Sequence, residues 1–172
     1  MSDRRYSMRT YLPAVIAGFV VVLLIVMQVI GADVPALAAV SFVFGLACLA
    51  FALGDMLIRD VRRTYVEAIQ FRALVLAVMI VETVLLFATT YMTVSAQPGQ
   101  INGLNTPLDA VYFTMTTLMT IGFGDISAEG QVARGLVLTQ MIFTILLLTA
   151  SVRLLTSLVR ALTVEEGAHR PG

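Results

Sequence analysis

Long uncharged stretches constrain this chain more than any other feature. Residues 10–32 carry no charged side chain, nor do residues 34–54 and 135–152, and residues 73–93 carry only Glu82. A helix rises ~1.5 Å per residue and the hydrocarbon core of a bilayer is ~30 Å thick, so about 20 residues span it. The pattern predicts four transmembrane helices over residues 11–31, 35–57, 72–95 and 134–158, the last staying apolar past Arg153. Arg4, Arg5 and Arg9 before the first stretch also suit a secretory leader. That stretch exceeds a leader's ~7–15 apolar residues, and no small-x-small cleavage site follows cleanly, so it reads as a span.

Composition agrees. Of 172 residues, 59% are apolar and 13% charged. Counting Gly instead of Tyr brings the apolar share to about 63%, against ~45–50% apolar and ~25% charged in soluble domains. That balance argues against a soluble enzyme and a disordered chain. The net charge is zero, so no field attracts a polyanion, and no nucleic-acid partner is expected. Cys48 is the single cysteine and forms no intrachain disulfide.

Arginine placement gives the orientation. Arg4, Arg5 and Arg9 precede helix 1; Arg59, Arg62, Arg63 and Arg72 lie between helices 2 and 3; Arg160 and Arg170 follow helix 4. The opposite side holds Arg134 alone, with Asp33, Asp109, Asp125 and Glu129. The positive-inside rule puts both termini in the cytoplasm of a multi-pass plasma-membrane protein. The chain then divides into a peripheral two-helix segment over 1–58, a linker over 59–71, a main segment over 72–160 and a short tail over 161–172. In the linker, Val61, Tyr65, Ala68 and Ile69 share a helical face. It reads as an interfacial helix with Arg59, Arg62 and Arg63 on anionic lipid headgroups, or else as a solvated connection.

One segment belongs to no span. After the turn formers Gln97-Pro98-Gly99 and Asn102-Gly103, the run Thr106-Pro107-Leu108-Asp109 reads as a helix start. Thr106 caps, Pro107 suits the first helical position, and Asp109 suits the positive helix end. The apolar helix over 107–119 is too short to span, so it must be re-entrant, returning through 120–125, TIGFGD. Irregular backbone at membrane depth is tolerated only when buried in protein or lining a water-filled path. Alternate glycines let successive carbonyls point the same way, and a row of carbonyls replaces an ion's hydration shell. One chain supplies one wall of such a cage, so several chains must surround the axis.

The run over 116–125, TTLMTIGFGD, resembles the signature of the potassium-channel pore family, whose common form is TVGYG. The resemblance covers about residues 71–160, with Tyr112-Phe113 at the family's aromatic pair and Arg134 at the start of the inner helix. It implies ion sites at the carbonyls of Thr120, Ile121, Gly122 and Phe123, with the Thr120 hydroxyl completing the innermost. Gly122 and Gly124 would take the unusual dihedrals. Asp125 would sit at the mouth and hydrogen-bond behind the filter, with Met119, Thr116 and Thr117 as support. The half-helix would aim its negative end at a central cavity. Bound K⁺ is the one ligand implied; no other cofactor is. Three departures stand out: Met119 replaces the usual Thr, Phe123 replaces Tyr and loses its hydroxyl, and Thr144 stands at the usual Gly hinge of the inner helix.

On that inner helix Ile145, Leu148, Val152 and Thr156 follow one face, near Thr144. Leu148 and Val152 suit either a dewetting constriction or helix packing. Glu82 is mid-membrane, as a modulatory proton site or a structural contact to Gln140, Thr139 or the back of the half-helix. Helix 2 presents Ser41, Gly45, Cys48, Ala52 and Asp55 on one face for close packing. Neither helix 1 nor helix 2 carries a voltage sensor's regular arginines. His169 stands alone, and no nucleophile–base set, metal cluster or dinucleotide motif appears.

The expected fold is an all-α membrane protein: four transmembrane helices, with a re-entrant pore half-helix and filter loop between helices 3 and 4. The expected function is passive, potassium-selective conduction by a homotetramer in the lipid bilayer. The alternatives are a weakly selective cation channel and a non-conducting scaffold or sensor subunit.

Overall fold

The computed structural model describes residues 16–27, 35–59 and 66–168. Five helices occur there: α1 (Ile16–Met27), α2 (Pro35–Arg59), α3 (Val66–Ser95), α4 (Pro107–Leu118) and α5 (Gln131–Ala168). Two short strands, β1 (Ile101–Asn102) and β2 (Ser127–Ala128), flank α4. Stretches of α2, α3 and α5 are long and apolar enough to cross a membrane: Ala36–Gly54, Ala73–Ser95 and Gln131–Thr156. The described part of the first expected span is the shorter apolar helix α1, and its remainder lies outside the described residues.

The helix bounds differ from the expected spans. α3 starts at Val66 instead of 72, and α5 runs from Gln131 to Ala168 instead of over 134–158. The second half of the expected linker helix, with Ala68 and Ile69, is therefore the opening of α3. Arg62, Arg63 and the tail beyond 168 lie outside the described residues. The physical reason is simple. An uncharged run measures the stretch apolar enough to span, while the backbone ladder of a helix continues through polar residues such as Glu67 and Arg72.

α3 is the central element, packed against α2, α4 and α5. Half of its spanning window is buried (50%), against 22% for α5, so α3 is a hub and α5 a surface. Aromatic rings carry the packing across the molecule. Phe42 of α2 meets Phe87 of α3 edge-on at 5.3 Å, and Tyr91 of α3 meets Phe113 of α4 edge-on at 4.9 Å. Such edge-to-face contacts add to area burial, and in lipid van der Waals fit is the main force between helices.

The small-residue face of α2 lies against α3. Ser41 and Ala52 are buried, and a Cβ at Gly45 would sit 3.2 Å from a Leu86 methyl. The Ser41 hydroxyl is satisfied by carbonyls of its own helix, at Leu37 and Ala38. The side chain of Asp55 lies outside the described residues. α1 joins through Ala17 and Val21, which belong to the same buried cluster.

The fold is not purely helical. β1 pairs antiparallel with β2, Ile101 opposite Ala128 and Asn102 opposite Ser127. A two-residue pair is too short to show any periodicity, so the residues give no warning of it.

Candidate functional site

α4 is built as its sequence demands. Thr106 is extended and accepts from the Asp109 N–H at 3.2 Å; Asp109 Oδ2 accepts in return from the Thr106 N–H at 2.8 Å. The Asn105 N–H adds a third bond at 3.0 Å. The Asn105 and Thr106 amides hold the Asp109 carboxyl below the usual carboxylate range. With 12 residues α4 is ~18 Å long, too short to cross a bilayer.

The end of α4 holds the chain that follows. Met119 closes the helix, its N–H on the Met115 carbonyl at 2.9 Å. The Thr117 carbonyl accepts from Thr120 N–H at 3.0 Å. The Thr116 carbonyl accepts from Ile121 at 2.9 Å and from Gly122 at 3.4 Å. The orphan carbonyls at a helix end are thus spent on turning the chain back. The Thr116 hydroxyl bonds the Phe113 carbonyl, and the Thr117 side chain is half-buried.

Backbone hand alternates along the return. Thr120, Gly122 and Gly124 have φ of 57°, 57° and 83°, while the intervening Ile121 and Phe123 have negative φ. Gly122 and Gly124 take this conformation without steric cost. Thr120 does not: a β-branched residue with φ above zero is a genuine outlier. It is the only positive-φ non-glycine among the described residues, and sequence reasoning missed it. Strain of ~1–3 kcal/mol of this kind persists only when the surroundings over-determine it.

Residues 119–125 are all exposed in the single chain, with Phe123 at 67%. Phe123 stacks on Tyr112 of α4, ring planes 4° apart and centroids at 6.3 Å. The Tyr112 hydroxyl bonds the Asp125 carboxylate, which raises the phenol above its ordinary value. The adjacent aromatics therefore divide the work. Tyr112 faces the loop, while Phe113 is buried against Tyr91 of α3.

A cuff of hydrogen bonds joins the segments on either side of α4 to the start of α5. The Gln100 carbonyl accepts from Glu129 N–H at 2.9 Å and Gly130 N–H at 3.0 Å, and Gln100 Oε1 accepts from Ala133 N–H at 3.3 Å. Arg134 Nε donates to the Ala128 carbonyl at 3.3 Å. Gly103 has φ 82°, and a Cβ there would lie 2.7 Å from the Asp125 carbonyl oxygen. Gln100 and Gly103 are further residues the sequence did not single out; only the turn-forming Asn102-Gly103 pair hinted at them.

On α5, Ile145, Leu148, Val152 and Thr156 are all exposed along one face. Thr144 is half-buried, and its hydroxyl bonds the Gln140 carbonyl of the previous turn at 2.9 Å.

Glu82 is buried, but two of its expected partners are engaged elsewhere. Gln140 bonds Tyr91 and Thr114, and the Thr139 hydroxyl bonds the Gly135 carbonyl. The carboxylate instead faces α1: a Cβ at Gly18 would lie 3.0 Å from Glu82 Oε1. Sequence periodicity places a residue on a face of its own helix, not opposite a particular neighbour. Among the described residues no cluster of three His, Cys, Asp or Glu is present.

Apolar spans around a half-length helix define a helical membrane protein. Residues 78–161 match the family model described as ion channel, a stretch just under half of the chain covering most of α3, all of α4 and most of α5. That similarity points to an ion channel subunit and not to an enzyme. No curated protein and no solved structure matches the chain.

Proposed function

We propose that the chain is one subunit of a homotetrameric potassium-selective channel that conducts K⁺ passively. The observation carrying this reading is the alternation of backbone hand at Thr120, Gly122 and Gly124, directly after a capped half-length helix. Alternating hand lets successive carbonyls face one side. Rings of such carbonyls, four chains around an axis, replace an ion's hydration shell. In this reading the carbonyls of Thr120, Ile121, Gly122 and Phe123 hold the ions, and Gly124 and Asp125 form the mouth. The exposed apolar side chains at 119–123 find cover at the neighbouring subunits. The stripe Ile145, Leu148, Val152 and Thr156 lines the inner cavity. Both termini lie in the cytoplasm of a plasma-membrane protein, and Glu82 is a modulatory position.

The family match over 78–161 supports a channel of some kind. The loop residues TIGFGD support potassium as its ion. Phe123 has no hydroxyl for anchoring the filter, and two other contacts serve instead: its stack on Tyr112 and the Tyr112–Asp125 bond.

Purified protein reconstituted in a planar bilayer under opposed K⁺ and Na⁺ gradients tests the reading. A reversal potential near the K⁺ equilibrium value is expected. A value near zero overturns selectivity and leaves a general cation channel. Absence of K⁺-driven flux overturns conduction and leaves a scaffold or sensor subunit. The particle mass in nanodiscs should equal four chains.

A further inference from the structure

Three helices meet at one buried polar bridge. Gln140 of α5 donates from Nε2 to the Thr114 carbonyl of α4 at 2.8 Å. Its Oε1 accepts from the Tyr91 hydroxyl of α3 at 2.7 Å. All three residues are fully buried. Chemistry fixes the amide orientation. A carbonyl only accepts, so the NH₂ group must face Thr114, and the Tyr91 hydroxyl can then donate to the opposite oxygen. In an apolar interior each of these groups would be costly if left alone.

The place of the bridge matters more than its strength. The Thr114 carbonyl lies two residues before Thr116 and three before Thr117, whose carbonyls turn the chain back. Thr116 carries the amides of Ile121 and Gly122. A helix is stiff along its length, so a pull at the Thr114 carbonyl moves the Thr116 carbonyl with it. One turn further along α5, the Thr144 hydroxyl bonds the Gln140 carbonyl. The exposed stripe on α5 starts at the next residue, Ile145. Tyr91 adds a second hold on α4, through its ring against Phe113.

We propose that Gln140 is a positioning residue that ties α5 to the last turn of α4, sets the place of the Ile121 and Gly122 amides, and passes movement of α5 to the loop. This rests on the conducting reading of 120–124, but its structural half is tested without conduction. Gln140→Leu removes both bonds at similar volume, and Tyr91→Phe removes one oxygen.

The measurement has two arms in the full-length protein in nanodiscs. Hydrogen–deuterium exchange over residues 119–125 in K⁺ buffer should be about tenfold faster in Gln140→Leu than in wild type. Tyr91→Phe should fall between the two. The double variant should be no faster than Gln140→Leu alone, because both residues act through one bridge. In bilayers, Gln140→Leu should lower the K⁺/Na⁺ permeability ratio by about tenfold at unchanged particle mass. A merely structural contact would leave that ratio alone. Exchange within twofold of wild type in Gln140→Leu overturns the proposal, as does an additive double variant. Should Gln140→Leu fail to assemble, Tyr91→Phe decides: unchanged exchange and permeability ratio overturn it. A wild type without selective current sinks the channel reading, and the exchange arm still decides whether Gln140 positions the loop.

Discussion

The two halves of this molecule are held by different forces. From α3 to α5, polar bonds cross between elements. Tyr91 and Thr114 meet at Gln140, Gln100 holds the start of α5, and Tyr112 holds Asp125. Between α2 and α3 the contacts are apolar: Phe42 on Phe87, Gly45 under Leu86. The hydroxyl of Ser41 turns back to its own helix. α1 meets α3 where Gly18 faces Glu82. Directional bonds fix atoms to fractions of an ångström, while van der Waals packing tolerates sliding. A loop whose carbonyls must line up, as proposed for residues 120–123, needs the first kind of hold. A pair of helices joined by van der Waals fit needs only the second.

The sharpest way to break this contrast is at the cuff. Gly103→Ala adds a methyl 2.7 Å from the Asp125 carbonyl at a residue with φ 82°. Neither the strand pair nor the loop can yield easily, so selective conduction should be lost, read as a reversal potential moved toward zero. Gly124→Ala, at φ 83°, should do the same. The peripheral half should answer differently. Gly45→Leu forces a larger side chain against Leu86 and should lower assembly stability by about 1–3 kcal/mol. The reversal potential should stay put. A shifted potential in Gly45→Leu would show that the peripheral helices also position the filter.

Smaller effects belong to the start of α4. Thr106→Ala removes one side of the capping box and should cost about 1 kcal/mol, a few degrees in the melting of the purified protein. Asp109 adds a pH dependence with a definite sign. Its carboxyl is held below its ordinary value, so its contribution is complete above that value, about pH 4, and fades as pH falls through the lower folded one. Melting of wild type should therefore fall more steeply below about pH 4 than melting of Asp109→Asn. Equal slopes would remove the carboxylate from the account.

Local rules make the half-helix legible from its residues alone. Thr106, Pro107 and Asp109 act within one turn of each other, so their order is enough to give the cap. The glycines at 122 and 124 are legible for the same reason. Thr120 is not, because propensity argues against a β-branched residue with positive φ, while its own amide and the next one are held by the Thr117 and Thr116 carbonyls. The bridge is hidden by distance: Tyr91 and Gln140 are 49 residues apart, and Gln140 and Thr114 are 26. Its one signal is a pair of large polar side chains inside apolar spans. Which of them meet depends on helix rotation and stagger, and sequence withholds both. Glu82 illustrates the same limit, facing Gly18 and not Gln140.

The close approach of Gly103 to the Asp125 carbonyl also bears on mutational tolerance. A scan of all substitutions, selected for K⁺ uptake by cells, should find position 103 as intolerant as 122 and 124. Gly99, also at positive φ but in open space, should accept Asn or Asp. The residues on which the proposed conduction depends would then include one lying 17 positions before Thr120.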